Sequence, residues 1–244
     1  MTAKAADNPA AVRAPAPALF LELHGLVSRL REGADIADSE FDQVFPFAAR
    51  KVSSSFWTPV AVAQRAARLL AQEGSSRVLD VGSGVGKFCI VGAASTDATF
   101  VGIEHRGHFV DLARDTACRV GVPSAHFVHG TLDAVHASDF DAFYFFNPFE
   151  ENLWLSSDQL DDTVPLSNGR FFADVERAQG MLSQARVGTR VVTYHGFGGV
   201  MPAGYVLSRR EPQRSGFLNL WIKTDSVTRC IRSAPDDLPR LLVG

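Results

Sequence analysis

The stretch VLDVGSGVGKF, residues 78–88, decides how this chain is read. An apolar strand runs into Gly82, Gly84 and Gly86, and a helix follows. Glycine there permits positive φ and lets a ligand approach bare backbone amides at a helix N-terminus. The spacing is GxGxG. A nicotinamide or flavin fingerprint requires GxGxxG, and position 87 is Lys, so the dinucleotide reading loses its third glycine. No Tyr-x-x-x-Lys pair supports that reading either.

On both sides of the turn, short apolar strands alternate with helical stretches. Upstream, Thr58 is placed to cap a helix with Pro59 at its first position, running through VAVAQRAARLLAQEG to Gly74. Strands are expected at 77–81, 99–104, 125–130, 140–149, 189–195, 205–211 and 216–223, with helices from about Gly86, over 107–120 and over 171–186. This pattern predicts a doubly wound α/β fold: a mostly parallel seven-strand sheet with helices on both faces, ending in an antiparallel hairpin. Leu19, Phe20, Leu23, Leu26, Val27 and Leu30 form the stripe of a further helix ending near Gly33, a helical N-terminal cap. Residues 1–17 are an Ala/Pro-rich arm, 18–225 are expected to form one domain carrying an irregular insertion at 150–170, and 226–244 are an unassigned tail.

Composition narrows the class. With 46% hydrophobic and 21% charged residues among 244, the chain can bury a sizeable core, which excludes a wholly disordered or fibrous protein. Lys and Arg number 24 against 27 Asp and Glu, so no global positive field draws nucleic acid, although Arg209, Arg210 and Arg214 could form a modest phosphate-binding patch. Cys89, Cys118 and Cys230 have no CxxC or metal-type spacing and read as buried thiols of a reducing compartment. His105, His126, His129 and His136 show no metal pattern, so no metal is implied. The run APAPALFL is broken by prolines and makes a poor signal peptide, and no apolar stretch is long enough to span a membrane, so the cytoplasm is the expected location.

The second strand ends at Glu104, 20 residues after Gly84, where a carboxylate can accept from both hydroxyls of a ribose. Asp80, just before the turn, would repel a pyrophosphate but tolerate a cationic or amine-bearing nucleoside.

These residues resemble the first motifs of the class I, Rossmann-like S-adenosylmethionine-dependent methyltransferases, and the resemblance covers roughly 56–223. It implies that Asp80, Gly82, Ser83, Gly84 and Gly86 hold the methionine part of S-adenosylmethionine and that Glu104 holds its ribose. The family's third motif carries an acid near the adenine; here the segment is HGTLDA, with Thr131 in that place, Leu132 beside it and Asp133 next. The fourth strand ends in FFNPFEEN, similar to the Asn-Pro-Pro-aromatic motif of amino-methylating enzymes but with one proline missing. The VGSGVG loop, the following GxE and the Asn-aromatic segment also resemble short motifs of the non-SET histone lysine methyltransferases. That likeness implies an amine acceptor, of protein or small-molecule origin, near Asn147. It also implies that SSSFWTP, with Thr58, folds over the cofactor, while ordinary packing explains Phe56 and Trp57 equally well.

The fifth strand ends in TYHGFGG, which places Tyr194 and His195 at the same sheet edge. His195 can act as general base or as a structural hydrogen-bonding residue. Asn147, Tyr194 and His195 are the catalytic candidates. In the insertion, Glu150, Glu151, Asp158, Asp161 and Asp162 stand against Arg170 alone, either an acidic lid attracting a cationic substrate or a solvated loop. A nicotinamide-dependent oxidoreductase and a catalytically silent cofactor-binding protein are the rival readings.

Overall fold

The computed structural model describes residues 25–71 and 76–225. The expected arm at 1–17, the start of the cap helix before Gly25, the approach to Gly74 and the tail with Cys230 lie outside the described residues. Strands β1 (Arg77–Val81), β2 (Thr99–Glu104), β3 (Ala125–His129), β4 (Ala142–Phe146), β5 (Arg190–Tyr194), β6 (Tyr205–Gln213) and β7 (Gly216–Lys223) form one seven-stranded sheet in the order β3-β2-β1-β4-β5-β7-β6. The first five in that order are parallel, and β7 and β6 are antiparallel. The order in which strands are added reverses between the parallel strands β1 and β4, the switch point at which open α/β sheets bind ligands beyond their carboxyl ends.

Alternation along each strand divides the core in two. Ahead of β1 lie helices α1 (25–31), α2 (Asp38–Phe41), α3 (Phe47–Lys51), α4 (Ser53–Phe56) and α5 (Val60–Leu70). Val78, Phe100, Tyr144 and Val192 face α5, α6 (Lys87–Ser95) and α7 (Gly107–Val120). Leu79, Val81, Phe143, Phe145 and Val191 face α8 (Asn168–Gln184). Helix α6, KFCIVGAAS, is apolar nearly all round because it lies between the sheet and α5. The second face is covered by α8 and 3₁₀ turns, because the β3–β4 connection carries the turns Leu132–Ala134 and Ala137–Asp139 and no α-helix. No helix among the described residues is long and apolar enough to cross a membrane.

Several expected boundaries move for local reasons. Strand β4 stops at Phe146 because Asn147 takes φ +47, and β5 stops at Tyr194 because His195 takes φ +60. Helix α8 starts at Asn168, inside the expected insertion, because the Ser167 side chain accepts from Arg170 N–H at 3.2 Å and caps it. Cys118 is exposed rather than buried, while Cys89 is buried as expected.

The largest correction concerns Thr58. Its hydroxyl does not cap α5; it is buried and shares a 3.0 Å hydrogen bond with the Tyr144 hydroxyl. Tyr144 is wholly enclosed, with its ring stacked on Phe88 at 3.7 Å, so its hydroxyl needs a partner inside the core. The cap comes instead from Asp38, in the short helix α2 (Asp38–Phe41), whose Oδ1 accepts from Val60 N–H at 2.9 Å. The same Oδ1 lies 2.6 Å from Lys87 Nζ, which also meets Asp42 at 2.7 Å and donates to Ser53 Oγ at 3.2 Å. Lys87 is only 2% exposed and Asp42 is buried with it, while Asp38 is 47% exposed, so the ammonium is interior and one of its two carboxylates faces solvent.

Removing the buried ammonium strands the Asp42 carboxylate in the interior without counter-charge. Lys87→Met is expected to lower stability by about 3–5 kcal/mol, read as a shift of the urea unfolding midpoint. Adding Asp42→Leu should restore part of that loss, and a further fall instead would contradict the pairing.

Candidate active site

The glycine turn after β1 is shaped by what presses on it. Gly82 and Gly84 have φ +72 and +53, and a Cβ at Gly82 would come within 2.8 Å of Pro148 Cβ. At Gly84 a Cβ would collide with the indole of Trp57. Trp57 follows α4 (Ser53–Phe56) and is fixed by donating Nε1–H to the Ala49 carbonyl at 3.1 Å and by an edge contact with Phe109 at 5.6 Å. Trp57 is packed in the core, as the packing reading of SSSFWTP expects, and its indole also lines the cleft over the glycine turn.

Beyond the carboxyl ends of β1, β2, β4 and β5 lies a cleft of about 820 Å³. That volume suits a nucleoside-sized ligand with room for a second group. Gly82, Gly84, Glu104, Thr131, Leu132, Asn147 and His195 line it, so the geometry brings together most of the residues singled out in the sequence. Asp80, Ser83, Gly86, Thr58 and Tyr194 do not line it. Asp80 shares the α6 face of β1 with Val78, where its carboxylate accepts from Cys89 Sγ–H at 3.4 Å. Ser83 N–H donates to the Ile103 carbonyl, and its side chain packs toward Gly102. Gly86 backs onto Phe127 and Ala113, and Tyr194 turns its hydroxyl to Ser215 at 2.5 Å.

Glu104 is buried at the head of the cleft. Its Oε2 accepts from Gly84 N–H at 3.0 Å and its Oε1 from Arg106 N–H at 2.9 Å. An ionised carboxylate offers about four lone-pair sites, so two remain for donors arriving from the cleft. Burial raises its pKa, and the two backbone N–H groups work against that rise. Burial likewise pushes Asp80 up to about 7.

Sequence reasoning missed Arg106. The guanidinium is 3% exposed and bridges Glu151 at 2.8 Å and Asp161 at 2.9 Å. Two of the insertion's acids are therefore internally neutralised, which corrects the picture of an uncompensated acidic lid. Arg170 pairs with Asp174 at 3.3 Å and lies 2.6 Å from His105 Nδ1. Burial, with Arg170 and Arg106 adding to it, lowers the His105 pKa to about 3, so this imidazole is neutral. No pattern in the sequence announces Arg106, because its partners lie 45 and 55 positions away.

At the other end of the cleft stand Asn147, Glu150 and His195. Asn147 donates its side-chain amide to Glu150 Oε2. Burial lowers the His195 pKa, and its Nε2 lies 3.4 Å from Ser215 Oγ. Asn147 and His195 are the described non-glycine residues with positive φ, and both face the cleft. Such backbone strain concentrates at functional sites.

No protein-family model and no curated protein matches the sequence. Solved structures do. One is an RNA methyltransferase from Salinibacter ruber in complex with S-adenosyl-L-homocysteine, 21% identical, with a TM-score of 0.52 over 72% of this chain and 99% of that one. Another is TrmN from Thermus thermophilus, 17% identical, with a TM-score of 0.51 over 73% of this chain and 53% of that one, so the chain spans about half its length. The fold is that of the class I methyltransferases. On this methyltransferase fold the cleft occupies the switch point between β1 and β4.

Because the Asp80 pKa is raised from 3.8 to about 7, its favourable contribution is full below the unfolded value and is lost as pH rises through the folded one. Asp80→Asn should therefore raise the melting temperature relative to the parent at about pH 8, and the gain should shrink toward about pH 4. Thermal melts across that range check the sign.

Proposed function

We propose that this chain is an S-adenosylmethionine-dependent methyltransferase acting on an amine of a protein or a small molecule, with residues 18–225 as its catalytic domain. The observation that carries the reading is Glu104, which lies in the cleft wall beside the glycine turn with two lone-pair sites left for the hydroxyls of a ribose. Gly82 and Gly84 leave room against the backbone for the methionine part, and Thr131 and Leu132 line the adenine side. Ser83 and Gly86 close the turn from behind, Gly86 N–H donating to the Ser83 carbonyl at 2.9 Å, while Asp80 precedes it on β1 and Thr58 supports the Tyr144 hydroxyl in the core. When bound, the cofactor supplies an electrophilic methyl group on a sulfonium.

The chain's own task is alignment and desolvation, because the transfer is an in-line displacement that needs no covalent enzyme nucleophile. Asn147 and His195 face the acceptor end, where burial lowers the His195 pKa and so favours the imidazole form that can accept a hydrogen bond. Tyr194 stacks on Phe146 at 5.2 Å and supports that end from inside the core. The Salinibacter ruber protein is by name an RNA methyltransferase, so the expectation that nucleic acid is not the acceptor draws no support from it. Arg210, which lines the cleft, is the residue an RNA would use.

Calorimetry with S-adenosylmethionine, S-adenosylhomocysteine and NAD(H) tests the reading. The first two should bind and NAD(H) should not. Glu104→Ala should weaken both by more than about tenfold, since a hydrogen bond to a charged group contributes about 1.5–3 kcal/mol. Glu104→Gln, which keeps an acceptor for the backbone N–H groups, separates lost ligand contacts from lost folding. Binding of NAD(H) alone, or of nothing, would sink the proposal.

A further inference from the structure

We propose that Glu150 receives the acceptor's ammonium group, holding it at the mouth of the glycine turn and taking its proton before transfer. This rests on the methyltransferase reading above and assigns a group within the same cleft.

Position comes first. Pro148 packs against Gly82, which brings the segment after β4 against the glycine turn and sets Asn147 and Glu150 on the cleft wall beside it. The strand order β2-β1-β4 puts Glu104, Gly82 and Asn147 in a row along the carboxyl edge. A nucleoside whose ribose meets Glu104 and whose tail crosses Gly82 directs its reacting end toward Glu150.

Charge narrows the choice of residue. The end of β2 presents Glu104, His105 and Arg106; the turn that carries Glu150 also carries Glu151; α8 presents Arg170 and Asp174; β5 ends in His195; and β6 presents Arg210. Arg106 is paired with Glu151 and Asp161, and Arg170 with Asp174. Glu104 accepts from two backbone N–H groups, the His105 imidazole is neutral, burial lowers the His195 pKa, and the Arg210 guanidinium lies 3.9 Å from the centre of the Phe217 ring. Glu150 enters no ion pair among the described residues, and its hydrogen-bond partner is the uncharged Asn147 amide. A cation entering the cleft thus meets two carboxylates that no arginine side chain has claimed: Glu104, held by two backbone N–H groups beside the glycine turn, and Glu150 after β4.

The walls suit the same guest. Phe56 and Trp154 meet edge to face at 5.3 Å, Phe146 stacks on Tyr194, and Phe56, Trp154 and Phe146 all line the cleft. Aromatic faces attract an ammonium ion as it loses its water. Burial holds the Glu150 carboxyl above the ordinary carboxylate range, which brings it closer to a proton acceptor's working value.

The balance is complete without another reactant. The ammonium gives one proton to the Glu150 carboxylate, and the freed nitrogen lone pair forms the bond to the methyl carbon while the carbon–sulfur pair leaves with sulfur. The product is a methylated ammonium and a neutral thioether, and Glu150 returns its proton to water when the products leave.

The test uses the full chain and needs no acceptor. Sinefungin carries an ammonium group where S-adenosylmethionine carries its methyl sulfonium, whereas S-adenosylhomocysteine has no group there. Calorimetric Kd values of both ligands are compared in the parent, in Glu150→Gln and in Asp158→Asn, an exposed acid of the same insertion, with thermal melts confirming folding. Glu150→Gln should weaken sinefungin about tenfold and leave S-adenosylhomocysteine unchanged, and Asp158→Asn should alter neither. Acidification should erode the sinefungin preference of the parent more than that of Glu150→Gln, because protonation removes the carboxylate's charge. An unchanged sinefungin Kd in Glu150→Gln, or an equal loss for both ligands, overturns the assignment while the cofactor reading stands. Failure of the parent to bind S-adenosylhomocysteine removes the cofactor reading and this assignment with it.

Discussion

One buried ammonium holds the cap, the first helix and the glycine turn together. Lys87 Nζ lies among Asp38, Asp42 and Ser53 at the start of α6, and Asp38 in turn caps α5 through Val60 N–H. An interior charge survives only when it is paired and hydrogen-bonded, so the cap cannot slide without exposing that charge to an apolar environment. The fixed cap places α4 and Trp57, and Trp57 sets the space above Gly84. The residue that breaks the dinucleotide fingerprint in the sequence is therefore the anchor of the wall that faces the ligand.

The cleft forms where two neighbouring strands end in strain. Asn147 and His195 both leave the sheet with positive φ, an arrangement that side chains other than glycine adopt at a cost of about 1–3 kcal/mol each. Asn147 N–H donates to the Gly196 carbonyl at 3.0 Å, so the two turns are tied to each other beyond the sheet edge. On the opposite side Glu104 joins the glycine turn to the start of α7 through Gly84 and Arg106. Rigid strands thus deliver the site residues, and a few hydrogen bonds across loops set their final aim.

Local pattern made much of this legible. The alternation of apolar strands and helices gives the sheet and its terminal hairpin, because each strand declares its own faces. GxGxG followed by Glu104 marks the ligand edge, because the spacing spans one strand–helix–strand unit. Contacts between distant segments were not legible. Thr58 has the ideal chemistry for a cap, yet Tyr144, 86 positions later, claims its hydroxyl. Glu151 and Asp161 read as free charge until Arg106 is seen between them. Glu150, next to Glu151 in sequence, keeps its charge uncompensated, and only the fold separates the fates of these adjacent acids.

Arg106 fixes Glu104 through its backbone and the insertion through its side chain. The glycine-turn side and the insertion side of the cleft are consequently not independent modules in evolution. A change at Arg106 alters both together, so selection for a new acceptor is directed to positions outside its grip, such as the exposed Leu155 and Asp158 on the far side of the insertion. Sequence divergence is then expected to accumulate at those exposed positions, while the inner turn of the insertion stays constrained.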